Sequence, residues 1–201
     1  MIDIDLSRYA GIIFDMDGTL IDSMPTHLKA WRQTAETFGF PFDEHWFYQL
    51  GGQPTIKTAA MLKEMYPISA EANDLVQHKY GRYEAIENKG TLIDATYQVL
   101  LSAKGEKKLA IGTGSQRHHT EALLKDNQVF DHFDAIVTAN DVTEHKPAPA
   151  TFLSAAEKMG LTPEQCVVFE DTGLGLRAAK AAGMDCYLVE NGHIASFHPA
   201  Q

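Results

Sequence analysis

Five short runs of apolar residues, rich in β-branched and aromatic side chains, limit what this chain can fold into. They are Gly11-Ile-Ile-Phe-Asp15, Leu109-Ala-Ile-Gly-Thr113, Ala135-Ile-Val-Thr138, Val167-Val-Phe-Glu170 and Cys186-Tyr-Leu-Val189. Each ends at a polar or glycine-rich stop. They show little alternation, so each predicts a strand covered on both faces, as in a parallel sheet. Helical patterns lie between them from residue 92 onward: Leu92 to Lys104, Gln116 to Asp126, Ala148 to Met159, and alanine-rich Gly173 to Ala182, which stops at Gly183 as at a C-cap. Strand–helix alternation makes right-handed βαβ units. The predicted class is therefore α/β, with a doubly wound, Rossmann-like parallel sheet.

The first crossover breaks the rhythm. Some 90 residues separate Asp15 from Leu109 without a convincing strand. Residues 25–38 read as an amphipathic helix with Leu28, Trp31, Ala35 and Phe38 on helical spacing, and 55–65 and 70–87 as two more. Gly39-Phe-Pro, Gly51-Gly-Gln-Pro and Tyr66-Pro punctuate them. A crossover needs only one helix. The surplus predicts a small α-helical domain, residues 23–87, inserted into a core of residues 1–22 and 88–201. Its hinges would fall near Ile21-Asp22-Ser23 and Asn88-Lys-Gly90.

Charge narrows the partners. The 201 residues carry 17 Lys+Arg against 27 Asp+Glu, a net charge of −10. That balance argues against nucleic acid and against anionic membranes. No apolar stretch approaches the roughly 18 residues that span a bilayer. The opening Met1-Ile-Asp-Ile-Asp5 lacks the basic-then-apolar pattern of a leader, so a cytoplasmic location is expected. Cys166 and Cys186 are too few for a disulfide scaffold and read as buried thiols on strands.

The polar residues gather where this fold binds ligands, outside the carboxyl ends of the strands. Those ends carry Asp15-Met-Asp17-Gly-Thr19, Thr113-Gly-Ser115, Asp141 to Lys146, and Glu170-Asp171. Acids crowded at one sheet edge repel unless a cation neutralises them, and carboxylate oxygens suit Mg²⁺. Mg²⁺ in turn suits phosphate chemistry.

Asp15-Met-Asp-Gly-Thr19, Thr113, Lys146-Pro and Glu170-Asp171, in that order and at strand ends, resemble the four motifs of the haloacid-dehalogenase superfamily. Phe14-Asp-Met-Asp-Gly-Thr-Leu-Ile-Asp-Ser23, Lys146-Pro-Ala-Pro149 and Val168-Phe-Glu-Asp-Thr-Gly-Leu-Gly175 are similar to its β-phosphoglucomutase and sugar-phosphate phosphatase branch. The resemblance covers nearly the whole chain. It implies Asp15 as nucleophile, forming an aspartyl-phosphate, and Asp17 as the acid and then base for leaving group and water. It implies Mg²⁺ held by Asp15, the Asp17 carbonyl, Glu170 and Asp171, directly or through water. Thr113 with the amides of Gly114 and Ser115 would hold phosphoryl oxygens, and Lys146 would bridge nucleophile and phosphate. Asp15 and Asp17 stand where the first strand ends, and Gly18 permits the chain to turn there.

Other readings fit less well. Asp15-x-Asp17-Gly is no EF-hand loop, because the glycine stands fourth rather than sixth and no Glu is twelfth. Gly112-Thr-Gly114 is no dinucleotide fingerprint, since Arg117 stands where a third glycine belongs. No Walker A sequence occurs. A dehalogenase would not need Asp17 or the acidic pair, and a non-catalytic binding domain would not need the full set.

Specificity is expected from His27, Gln53, Lys79 and Arg117. His27 reads either as a substrate or hinge contact or as a helix-surface residue. Trp31 reads as helical-domain core rather than sugar platform, and His118-His119 as surface residues rather than ligands. Leu50-Gly-Gly-Gln-Pro-Thr55 resembles bacterial fructose-1-phosphate phosphatases. In the β-phosphoglucomutase pattern an arginine stands where this chain has Thr55, so a second phosphate anchor is in doubt. The expectation is a monomeric, Mg²⁺-dependent phosphatase of a small sugar phosphate, with β-phosphoglucomutase as the alternative.

Overall fold

The computed structural model describes residues 3–201. Its centre is a six-stranded sheet of β1 (Gly11–Phe14), β2 (Lys108–Gly112), β3 (Ala135–Val137), β4 (Cys166–Glu170), β5 (Asp185–Glu190) and β6 (His193–His198). The order is β3-β2-β1-β4-β5-β6. The first five strands pair in parallel, and β6 pairs antiparallel with β5. The sequence reading found the five parallel strands and missed β6. Its residues are half exposed in alternation, the pattern of an edge strand rather than a buried run.

Period two divides β1 between two cores. Ile12 and Phe14 join Val99, Leu100, Ala103, Leu123 and Leu124 of helices α5 (Asp94–Ala103) and α6 (Arg117–Asp126). Ile13 faces the other way, onto Phe152, Ala155, Ala178 and Ala179 of α7 (Ala150–Met159) and α8 (Gly173–Ala181). Both faces are thus covered, which is why the strands read as continuous apolar runs. Cys166 and Cys186 are buried free thiols on β4 and β5. Ala182 caps helix α8, and Gly183 at φ +74° takes the left-handed turn just beyond it.

Four helices form a separate lobe between β1 and α5: α1 (Met24–Phe38), α2 (Glu44–Gln49), α3 (Thr55–Met65) and α4 (Ala72–Glu84). They enclose an apolar cluster of their own, which includes Leu28, Trp31, Ala35, Phe47, Leu62 and Leu75. Helix α2 escaped the sequence reading because six residues are too few to show a period. The two chain crossings into this lobe run side by side. Asp22 donates its amide to the Thr91 carbonyl at 2.8 Å, and Ile93 donates to Leu20 at 2.9 Å.

Candidate active site

The chain leaves strand geometry immediately after β1. The Met16 carbonyl accepts the amides of Leu20 and Ile21, and Gly18 donates to Ile21 at 2.8 Å. Gly18 sits at φ +86°, and a β-carbon there would overlap the Asp171 carboxylate. Only glycine satisfies both the turn and the close approach. This tight loop ends the strand and sets Asp15 and Asp17 at one site.

Lys146 ties the site together. Its ammonium donates at 2.7 Å to Asp15 Oδ1 and at 2.7 Å to Glu170 Oε1, and all three side chains are buried. Burial alone would disfavour the lysine's charge, but the two carboxylates raise its pKa above the ordinary value. Glu170 Oε2 accepts three further donors, the amides of Asp171 and Thr172 and the Thr172 hydroxyl. Gly175 lies against this carboxylate so closely that a β-carbon would overlap it.

The acids fit a hard divalent cation. Asp15, Glu170 and Asp171 each offer a carboxylate oxygen within 4.8 Å of the others. Burial, then Glu170, Asp171 and Asp17, push the Asp15 carboxyl up against the pull of Lys146. Burial and Glu170 push Asp171 up to about 7. Neighbouring carboxylates driven toward protonation are carboxylates short of positive charge, which a cation on oxygen ligands supplies. Glu170 is already occupied by four donors, so Asp15 and Asp171 are the freer ligands.

Asp17 has a different environment. Ser23 Oγ donates to its Oδ1 and Ser115 Oγ to its Oδ2, each at 2.5 Å, and His27 Nε2 is 3.2 Å from Oδ1. Burial opposes its ionisation, but His27, Ser115 and Ser23 outweigh it and hold the carboxyl well below the usual range. His27 Nδ1 in turn faces Lys79 Nζ at 2.9 Å. Lys79 is buried between the rings of Tyr80 and Tyr83, 4.5 and 5.1 Å from their centroids. Desolvation lowers its pKa to about 7. Lys79 therefore donates to His27, and His27 donates to Asp17, which fixes the imidazole tautomer.

The helical lobe closes over these groups. Asp17, His27, Gly114 and Ser115 face Leu28, Trp31, Phe47, Gly52, Gln53, Thr55 and Thr58 around a chamber of about 60 Å³. A few waters fit that space and a sugar phosphate does not. Gln53 donates to Thr58 at 3.1 Å, and Thr55 to the Tyr80 hydroxyl at 3.0 Å. Trp31 both packs in the lobe's core and lines the chamber. Thr113 is buried at the end of β2, with its hydroxyl accepting the Ser115 amide at 3.0 Å.

Three side chains depart from the sequence reading. Arg117, expected near substrate, points away from the chamber. It begins α6, and its guanidinium is held by Asp141 at 2.7 Å, by Glu121 one turn along and by the Ile136 carbonyl. Its nearness to Ser115 in sequence misled, because the helix start swings it outward. His119, expected at the surface, is buried and stacked on Tyr80, while His118 beside it is exposed. Tyr48 went unnoticed because it lies on α2. Its hydroxyl donates at 2.9 Å to Asp171, whose other oxygen accepts from Thr19.

Comparison with known proteins fits this geometry. Residues 12–189 match the family described as haloacid dehalogenase-like hydrolase. The chain belongs to that family. The Escherichia coli fructose-1-phosphate phosphatase YqaB is 43% identical over 183 residues, 89% of this chain and 95% of that protein. The β-phosphoglucomutase of Bacillus subtilis is 30% identical over 86% of this chain and 80% of its own length. Among solved structures, β-phosphoglucomutase from Clostridium difficile superimposes with a TM-score of 0.80 at 25% identity, over 91% of this chain and 85% of that one. CbbY from Rhodobacter sphaeroides, in complex with phosphate, gives 0.77 at 28% identity over 89% and 84%.

Proposed function

We propose that this hydrolase is a Mg²⁺-dependent phosphatase acting on small sugar phosphates of the fructose-1-phosphate type, through an aspartyl-phosphate on Asp15. Family membership and the likeness to a named phosphatase over most of the chain make it a phosphoric monoester hydrolase. The observation that carries the reading is the contrast between two neighbouring acids. Asp15 is bridged by Lys146 and packed among carboxylates, whereas Asp17 is held ionised by Ser23, Ser115 and His27. Lys146 and a bound cation would keep Asp15 in the ionised form that a nucleophile needs, while Asp17, as a hydrogen-bonded carboxylate, is placed to take a proton from water.

Asp15, the Asp17 carbonyl and Asp171 would hold Mg²⁺, with Glu170 contributing charge. The bound ion supplies Lewis-acid stabilisation of phosphoryl charge. The residues supply the rest. Lys146 cancels repulsion between the Asp15 oxygen and an incoming phosphate. Thr113 and the amides of Gly114 and Ser115 orient phosphoryl oxygens. Asp17 is placed to give a proton to the leaving oxygen and then to take one from the attacking water. Lys79 and His27 keep Asp17 in place, and the helical lobe excludes bulk water. The lobe serves as a cap, hinged at the paired crossings near residues 21–23 and 88–93, and it must open for substrate to enter.

Among the described residues, Lys79 is the one lysine or arginine that borders the chamber, where Arg117 does not reach. One cation suits the single phosphate of a monoester better than the two ends of a bisphosphate. All these groups come from one chain, so a monomer suffices.

Phosphate release from a panel of hexose and hexitol monophosphates, with Mg²⁺ and with EDTA, tests the reading. Turnover of a sugar phosphate that EDTA abolishes is expected, and Asp15→Asn should end it with the fold intact. Turnover indifferent to EDTA would sink it. Glucose 6-phosphate appearing from β-glucose 1-phosphate faster than free phosphate would replace it with the mutase reading.

A further inference from the structure

A second junction between lobe and core carries chemistry of its own. Glu84, at the end of α4, and His118 and His119, in the first turn of α6, each offer one ligand atom within 4.8 Å of the others. His119 Nε2 lies 2.6 Å from Glu84 Oε1, and the two imidazole centroids are 3.7 Å apart. His119 is 8% exposed, and its Nδ1 has no hydrogen-bond partner among the described residues.

The three ligand atoms lie close enough to share one ion. An ion there would take the place of the proton between His119 Nε2 and Glu84 Oε1, which stand 2.6 Å apart. A cavity of about 620 Å³ borders Glu84, His118, His119, Gln116 and Asp126, with room for further water ligands. Lys89 Nζ stands 3.7 Å from Glu84 Oε2 and leaves Oε1 to the histidines.

We propose that Glu84, His118 and His119 form a second metal site, which takes a borderline divalent transition ion such as Zn²⁺ and clamps the helical lobe onto the core. The donor set separates it from the site of Asp15, Glu170 and Asp171. Two imidazoles and a carboxylate select zinc-like ions, whereas an all-oxygen set selects Mg²⁺. The clamp acts on the helix that serves Asp17. His119 stacks on Tyr80 and meets the edge of Tyr83, both on α4, and Lys79 lies between those rings. An ion joining Glu84 to α6 fastens that helix to the core. Because substrate entry requires the lobe to open, the bound ion inhibits turnover.

The test is a Co²⁺ titration of the Mg²⁺-saturated protein, followed by displacement with Zn²⁺. One Co²⁺ per chain is expected, with the visible absorption of nitrogen ligation, and binding requires no substrate. Under saturating Mg²⁺, phosphatase turnover should fall in step with Zn²⁺ occupancy. His118 and Glu84 are exposed, so His118→Ala and Glu84→Gln should fold. Each should weaken Co²⁺ by at least ~100-fold and remove the Zn²⁺ inhibition, with turnover free of zinc unchanged. Asp15→Asn should keep the Co²⁺ site. No binding, binding unaffected by His118→Ala, or binding lost in Asp15→Asn overturns the site. Binding without inhibition overturns the clamp.

Discussion

Gly52 of the helical lobe and Gly114 of the core meet backbone to backbone: a β-carbon on Gly114 would overlap the Gly52 carbonyl oxygen. Gly52 itself sits at φ +85°, and a β-carbon there would lie 3.2 Å from Lys146 Cδ. The closed chamber therefore depends on two missing side chains, one on each side of the junction.

Gly114→Ala should hold the lobe slightly open. Misplacing the site by about 1 Å can cost ~100-fold in rate. The expected result is a kcat loss of that order with a nearly unchanged Tm, because the core's own packing is untouched. Wild-type kcat in this variant would show that closure tolerates the extra methyl group.

Lys79 should cost the fold stability while serving Asp17. Its pKa falls from 10.5 to about 7 on burial, so between those values the unfolded chain binds more protons. Stability then rises with pH across that window and carries the full penalty below it. Lys79→Met should raise stability by roughly 1–4 kcal/mol at pH 6 and lower kcat. The gain should shrink as pH climbs toward 10. Urea melts at several pH values check the sign, and a gain that grows with pH would contradict it.

Tyr48→Phe removes the hydroxyl that orients Asp171. Partners that orient a metal ligand are typically worth 10–100-fold in metal affinity. The Mg²⁺ concentration for half-maximal turnover should rise by ~10-fold, with kcat at saturating Mg²⁺ close to wild type. An unchanged Mg²⁺ dependence would leave the contact structural only.

Gly175→Ala drives a β-carbon into the Glu170 carboxylate. Overpacking of a tight interior typically costs 1–3 kcal/mol. The displaced carboxylate also loosens Lys146, so stability by urea melt and kcat should fall together. A variant that loses stability and keeps its rate would separate Glu170 from catalysis.

The strand-end motifs were readable because they are local. Asp15, Asp17 and Gly18 lie within one turn of chain, and β1, β2, β3, β4 and β5 announce themselves by runs that a parallel sheet buries on both faces. The helices α1 and α3 follow from their periods and turn residues to within one residue of their observed bounds. Alternation too weak to stand out hid β6, and brevity hid α2.

The sequence by itself determined the five parallel strands, the tight loop that carries Asp15 and Asp17, and the family to which the chain belongs. Only the tertiary structure decided which distant groups serve that loop. Lys79 reaches His27 across 52 residues of chain, Tyr48 reaches Asp171 across 123, and Arg117 turns away to Asp141. Period and motif report on neighbours along the chain. Contacts of this length arise when distant elements pack, within the lobe for Lys79 and His27, within the core for Arg117 and Asp141 and across the junction for Tyr48 and Asp171, and that packing depends on surfaces that no local pattern describes.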